Sequence, residues 1–128
     1  MNKLVWGAYY EEDYPKGVLF DTIDKTHESY NNGLKLTLLK DSKRNQNDPK
    51  IHCIVATHNE NSIQLMIESN NRKFSGAQLL GMKDSLTEHI LDNDFTAYKY
   101  VPFGPMLDTV PYLVRRLHEN KSILRHLI

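Results

Sequence analysis

Apolar residues follow one another along this chain in two alternating rhythms, and each rhythm predicts an element. Leu4–Tyr9 (Leu-Val-Trp-Gly-Ala-Tyr) is a continuous apolar run, the pattern of a strand covered on both faces. A polar loop with Pro15 and Gly17 follows, from Glu11 to about Asp21. Thr26, Tyr30, Leu34 and Leu38 then recur at i,i+4 steps, which predicts an amphipathic helix ending near Lys40. Asp41–Lys50 is too polar for anything but an exposed loop. Ile51–Ala56 predicts a second strand, followed at once by Thr57-His58-Asn59 and a short helix carrying Ile63, Met66 and Ile67. Ala77–Met82 reads as a third strand, and Ser85-Leu-Thr-Glu88 matches a capping box opening a helix through Leu91. Phe95–Val101 is the fourth strand, ended by Pro102-Phe-Gly-Pro105. The last helix is predicted from near Asp108, with Pro111 in its first turn, where the missing N–H costs little.

Strand and helix thus alternate four times, and such alternation implies an α/β fold with a parallel sheet and helical crossovers. In parallel α/β folds the chemistry sits where strands end and βα loops begin. Tyr9, Thr57-His58-Asn59, Met82-Lys83 and Tyr100 with Pro102-Phe-Gly all stand at such ends and are expected on one rim. The structural alternatives are local: His58 could cap the next helix, and Tyr9, Tyr100 and Tyr112 could be core aromatics with hydroxyls in water.

Composition removes several classes of function. The 128 residues make at most one ordinary domain, and 40% are apolar, enough for a core. Sixteen basic residues balance sixteen acidic ones, so no basic excess points to nucleic acid. The single cysteine, Cys53, excludes an internal disulfide and is expected to be a buried thiol within Ile51–Ala56. No stretch approaches the ~20 apolar residues of a membrane span, and the N-terminal residues carry no signal or transit pattern. Histidines 27, 52, 89, 118 and 126 are scattered without ligand-like spacing, so no metal site is expected. Neither Gly-x-Gly-x-x-Gly nor a P-loop is present, which removes the dinucleotide and nucleoside-triphosphate readings.

One stretch is denser in chemistry than the rest, Pro111-Tyr-Leu-Val-Arg-Arg-Leu-His-Glu-Asn120. Wound at about 100° per residue, it sets Tyr112, Arg115, Arg116 and Glu119 on one arc, with Val110, Leu113, Val114 and Leu117 opposite as the core-facing stripe. Adjacent guanidinium groups beside an aromatic ring make an anion receptor, because they grip carboxylates and phosphates in a planar fork that lysine cannot copy. The plain alternative is a solvated face with an Arg115–Glu119 pair.

Taken in order, Lys3-Leu-Val-Trp-Gly-Ala-Tyr9, Val55-Ala-Thr-His-Asn59, Gln78-Leu-Leu-Gly-Met82, Tyr98-Lys-Tyr-Val-Pro-Phe-Gly104 and Pro111-Tyr-Leu-Val-Arg-Arg-Leu-x-Glu-Asn120 resemble the proline dehydrogenase flavoprotein family, its mitochondrial eukaryotic members above all. The resemblance spans residues 1–128 as one unit and implies the later half of a distorted (βα)8 barrel. It implies FAD as cofactor, oxidation of L-proline to Δ1-pyrroline-5-carboxylate, electrons passed to quinone, and a mitochondrial location. By the same resemblance Arg115 and Arg116 hold the proline carboxylate, and Tyr9, Leu79, Tyr100 and Tyr112 wall the ring against the flavin. Lys3 falls where the family has a basic residue near the flavin N5. Gly7, Ala8, Thr57, His58 and Asn59 resemble its FAD contacts, and Glu119 a partner orienting the arginines or a tyrosine.

Two departures accompany the likeness. Trp6, at a cofactor-contacting position, stands where relatives usually carry Arg or Lys. The first half of the barrel, with a substrate-side lysine, an aspartate and a flavin glutamine, has no counterpart here, so the chain reads as a partial gene product. Its partner would be an N-terminal barrel half, or another copy through open sheet edges at Leu4–Tyr9 and Phe95–Val101. The competing readings are an inactive remnant or partner-binding fragment, and an unrelated barrel enzyme gripping phosphate through Arg115 and Arg116.

Overall fold

The computed structural model describes residues 2–5, 17, 22–43 and 52–119, with residues 2–5, 23 and 119 through their backbone alone. Among these residues strand and helix alternate through eight elements: β1 (Asn2–Val5), α1 (Ile23–Ser42), β2 (Cys53–Ala56), α2 (Glu60–Glu68), β3 (Phe74–Leu79), α3 (Asp84–Asp92), β4 (Ala97–Tyr100) and α4 (Met106–Glu119). The strands form one parallel sheet in the order β1-β2-β3-β4. Each strand lies beside the next in sequence and the order never reverses. This winding is compatible with part of an α/β barrel.

Register decides which side chains share a face. Cys53 lies opposite Phe74, Val55 opposite Gly76, and Gln78 opposite Lys99. That face meets the helices, where Cys53, Val55 and Phe74 join Tyr30, Leu34, Ile63, Met66, Leu86, Ile90 and Phe95 in one buried core. Cys53 is a buried thiol, as its apolar surroundings predict.

Gly76 is small because α3 presses on it: a Cβ there would collide with Ile90 Cδ1. Overpacking a closed core costs roughly 1–3 kcal/mol. Gly76→Val is therefore expected to lower the urea midpoint, and adding Ile90→Ala to recover part of the loss. No recovery in the double variant would show that the glycine serves the strand backbone instead.

Several boundaries differ from the sequence pattern, each for a local reason. The long helix α1 starts on the hydroxyl of Thr22, which accepts the Lys25 N–H at 3.3 Å, and runs past Lys40 to Ser42. Asp41 is not in an exposed loop. It is buried at the end of α1, accepting from Asn71 Nδ2 at 2.7 Å and Lys73 Nζ at 3.2 Å. Residues 44–51 lie outside the described residues, as does most of the predicted strand beyond Val5.

The third strand begins three residues before Ala77 and stops at Leu79. The apolar run continues only because Met82 buries its side chain from within a turn. There Gly81 takes φ +79°, and the Met82 N–H donates back to the Leu79 carbonyl at 3.0 Å. The Ser85–Glu88 capping box is likewise not used. Helix α3 opens two residues earlier, behind Lys83 in the left-handed conformation (φ 51°), with no side chain capping it.

The fourth strand is shorter than Phe95–Val101, because Phe95 turns into the core before pairing begins. The last helix begins at Met106, so Pro111 falls in the second turn rather than the first.

Candidate functional site

The C-terminal ends of β2, β3 and β4 form a rim in which side chains complete what the backbone leaves open. Strand β2 ends at Ala56, and its ladder closes with the Thr57 N–H on the Ala77 carbonyl. The next amide of β3 on that side, Leu79, has no further strand to meet. It donates to His58 Nε2 at 3.1 Å, so the imidazole takes the place of a ladder carbonyl. An acceptor at Nε2 fixes the ring as the neutral tautomer with its hydrogen on Nδ1. Burial, and then the positive charges of Lys99 and Lys83, push the His58 pKa down to about 4. Geometry and electrostatics agree: this histidine is neutral at physiological pH.

Its neighbours are held just as firmly. The Thr57 hydroxyl accepts the Asn59 N–H at 3.1 Å, and the Asn59 side chain caps α2 by accepting from the Asn61 N–H at 2.9 Å. The Asn59 amide also meets His27 Nδ1 on α1. Buried Gln78 donates to the Thr57 carbonyl at 3.3 Å and accepts from the Thr87 hydroxyl at 3.1 Å, joining β3 to the loop and to α3. Helix capping, the simpler expectation for His58, falls to Asn59 instead.

Leu79 faces the other side of the sheet, opposite Tyr100 in register. With Met82 it forms a second small core on which Tyr112, Leu113 and Leu117 of α4 rest. The buried stripe of α4 therefore keeps Leu113 and Leu117 of the predicted one but not Val110 and Val114. Tyr112, Leu113, Arg116 and Leu117 are half-buried, while Val110 and Val114 face outward, 47% and 58% exposed. The helix lies against the strand ends, where a tyrosine and an arginine suit the half-open setting better than valine.

The result is a compact constellation. The Tyr100 and Tyr112 rings pack tilted, centroids 6.1 Å apart, and the Arg116 guanidinium lies over the Tyr112 ring at 5.3 Å. A cation stacked on an aromatic face loses little of its capacity to bind an anion in the ring plane. Arg115, the next residue back, is exposed where Arg116 is half-buried.

Four residues singled out in the sequence thus stand together: Leu79, Tyr100, Tyr112 and Arg116. Thr57, His58 and Asn59 adjoin them through the Leu79 amide. Trp6, Gly7, Ala8 and Tyr9 lie outside the described residues, and the side chains of Lys3 and Glu119 are likewise not described. Gln78 and Lys99 escaped attention as site residues, although a glutamine inside an apolar strand and a lysine between two tyrosines were visible signals. Among the described residues no cluster of three or more His, Cys, Asp or Glu side chains could hold a metal ion.

Comparison with known proteins agrees with this geometry. The proline dehydrogenase family model matches residues 1–127. Proline dehydrogenase 1, mitochondrial, of Dictyostelium discoideum is 36% identical over 95% of this chain and 23% of its own length. Hydroxyproline dehydrogenase of Bos taurus is 35% identical over 96% of this chain and 29% of its own length. The carbapenem antibiotics biosynthesis protein CarD of Pectobacterium carotovorum is 37% identical, over 92% and 31%. The chain spans about a quarter to a third of the length of these relatives. A family model that fits from the first residue to the last but one, on a sequentially wound parallel sheet with an arginine and two tyrosines at its strand ends, places the chain in the proline dehydrogenase family.

Proposed function

We propose that these residues form the later half of a (βα)8 barrel that oxidises L-proline to Δ1-pyrroline-5-carboxylate in mitochondria, with FAD as cofactor and a quinone as final electron acceptor. The observation that carries this reading is the grouping of Leu79, Tyr100, Tyr112 and Arg116 at the strand ends. It offers a cation for a carboxylate beside aromatic and aliphatic walls of the size of a pyrrolidine ring. An unrelated phosphate-binding barrel would need backbone donors in a glycine-rich loop, which this rim lacks among its described residues.

The donor set also fits a flavin. An imidazole committed to accept at Nε2 presents an N–H at Nδ1, where a flavin carbonyl or ring nitrogen can accept it. His58, Thr57 and Asn59 would hold the cofactor there, together with Lys3, Gly7 and Ala8, and Glu119 would support the arginines. The flavin, when bound, supplies the hydride acceptor. The protein's own work is orientation: Arg116 and Arg115 fix the carboxylate, Tyr112, Tyr100, Tyr9 and Leu79 hold the ring, and the apolar walls exclude water.

Phe103, Met106 and Leu107 are 93%, 78% and 89% exposed beside β4, which among the described residues pairs only with β3. An edge of this kind suits the remainder of a barrel or, failing that, a second copy. The test is a chimera in which residues 1–128 replace the matching segment of the Dictyostelium relative. It is expected to bind flavin and reduce a dye acceptor with L-proline. A folded, flavin-loaded chimera inert toward proline would overturn the reading in favour of an inactive remnant.

A further inference from the structure

We propose that Lys99 is a positioning residue for the rim site: by clamping the turn between β3 and α3 it sets where α4, and with it Tyr112 and Arg116, stands relative to Tyr100. This inference rests on the substrate role proposed above only for its catalytic readout.

The turn needs such a clamp. Residues Leu80 to Lys83 contain two left-handed positions, Gly81 and Lys83, and the helix that follows has no side-chain cap. A non-glycine residue in that conformation persists where its surroundings hold it. The holding groups are tertiary. Lys83 Nζ reaches Glu60 on α2 at 2.7 Å. From β4, Lys99 Nζ donates to the first helical carboxylate, Asp84, at 2.5 Å and to the Met82 carbonyl at 3.4 Å. Beside the Leu80 N–H, which donates to the Tyr100 carbonyl at 3.0 Å, Lys99 ties the turn to the neighbouring strand through both its charge and a backbone carbonyl.

From there a closed circuit of contacts returns to the same strand. Met82, whose carbonyl Lys99 grips, packs with Leu79 under Tyr112, Leu113 and Leu117. Tyr112 carries the Arg116 guanidinium on one side and meets Tyr100 on the other. Tyr100 is the residue after Lys99. One strand therefore presents a substrate wall and, one residue earlier, the clamp that places the helix facing that wall. Arginine can make the same two contacts; a neutral side chain of equal length cannot.

The chimera carries the test, with Lys99→Met, Lys99→Arg and, on the solvent side of the pair, Asp84→Asn. Steady-state kinetics and deuterium exchange of a peptide covering residues 111–117 are measured on each. Lys99→Met is expected to raise KM for L-proline about three- to thirtyfold with kcat little changed, the scale of indirect coupling. It should speed exchange in α4 by a similar factor; Lys99→Arg should restore both, and Asp84→Asn should shift both part-way. Unchanged KM and exchange in Lys99→Met would overturn the proposal, and so would a Lys99→Arg no better than Lys99→Met. A chimera inert toward proline before any substitution defeats the proposed function alone, and the exchange rates then decide the role of Lys99.

Discussion

Replacing Arg116 with lysine in the chimera is expected to lower kcat/KM for L-proline by roughly ten- to a hundredfold while flavin stays bound. A charge-assisted two-pronged contact to a carboxylate contributes roughly 1.5–3 kcal/mol, and an ammonium can supply the charge but not the fork. The ring under the guanidinium adds to the difference, since Tyr112 orients the planar group at 5.3 Å and would orient an ammonium poorly. The loss should appear mainly in KM, because the contact exists before the hydride moves. Arg115→Lys should cost less, since that side chain is exposed and is not stacked as Arg116 is. Equal, negligible effects at both positions would return the pair to a solvated face. A larger effect at Arg115 would mean that α4 turns when substrate binds.

The alternation of the described elements was legible in the chain, because short continuous apolar runs and i,i+4 apolar spacing report burial, and burial is what strands and helices solve. What was not legible were places where one residue answers to two neighbours. Met82 extends an apolar run, yet it belongs to a turn whose left-handed glycine the run conceals. Ser85 and Glu88 have the spacing of a cap, but Lys99 and Glu60 hold that helix start from other elements. Val110 and Val114 look like core residues on a wheel, and the wheel cannot know that α4 packs at the strand ends on Leu79 and Met82. The site itself divided in the same way. Residue types at strand ends were visible in the motifs; the unequal burial of Arg115 and Arg116, and the use of His58 as a ladder acceptor, arise only from packing.

That ladder bond makes the fold sensitive to acid in a defined window. His58 has a pKa near 4 when folded, against 6.5 for an ordinary histidine, through burial first and the nearby lysines second. Between those values the unfolded chain binds a proton that the folded chain refuses, so stability rises with pH across the window. The contribution is complete above pH 6.5 and is lost as pH falls toward 4. The slope approaches ~1.4 kcal/mol per pH unit for one group, and discounting for the ring's remaining contact with water leaves about 2 kcal/mol in all. Protonation also removes the acceptor for the Leu79 N–H, so the loss falls on the residue that carries α4. Urea midpoints of the chimera at pH 7.5, 6.0 and 4.5 check this against His58→Gln, whose amide oxygen can accept the same N–H at every pH. The native form should lose about 2 kcal/mol more than the variant over that range. Parallel losses in both would assign the acid sensitivity to groups other than His58.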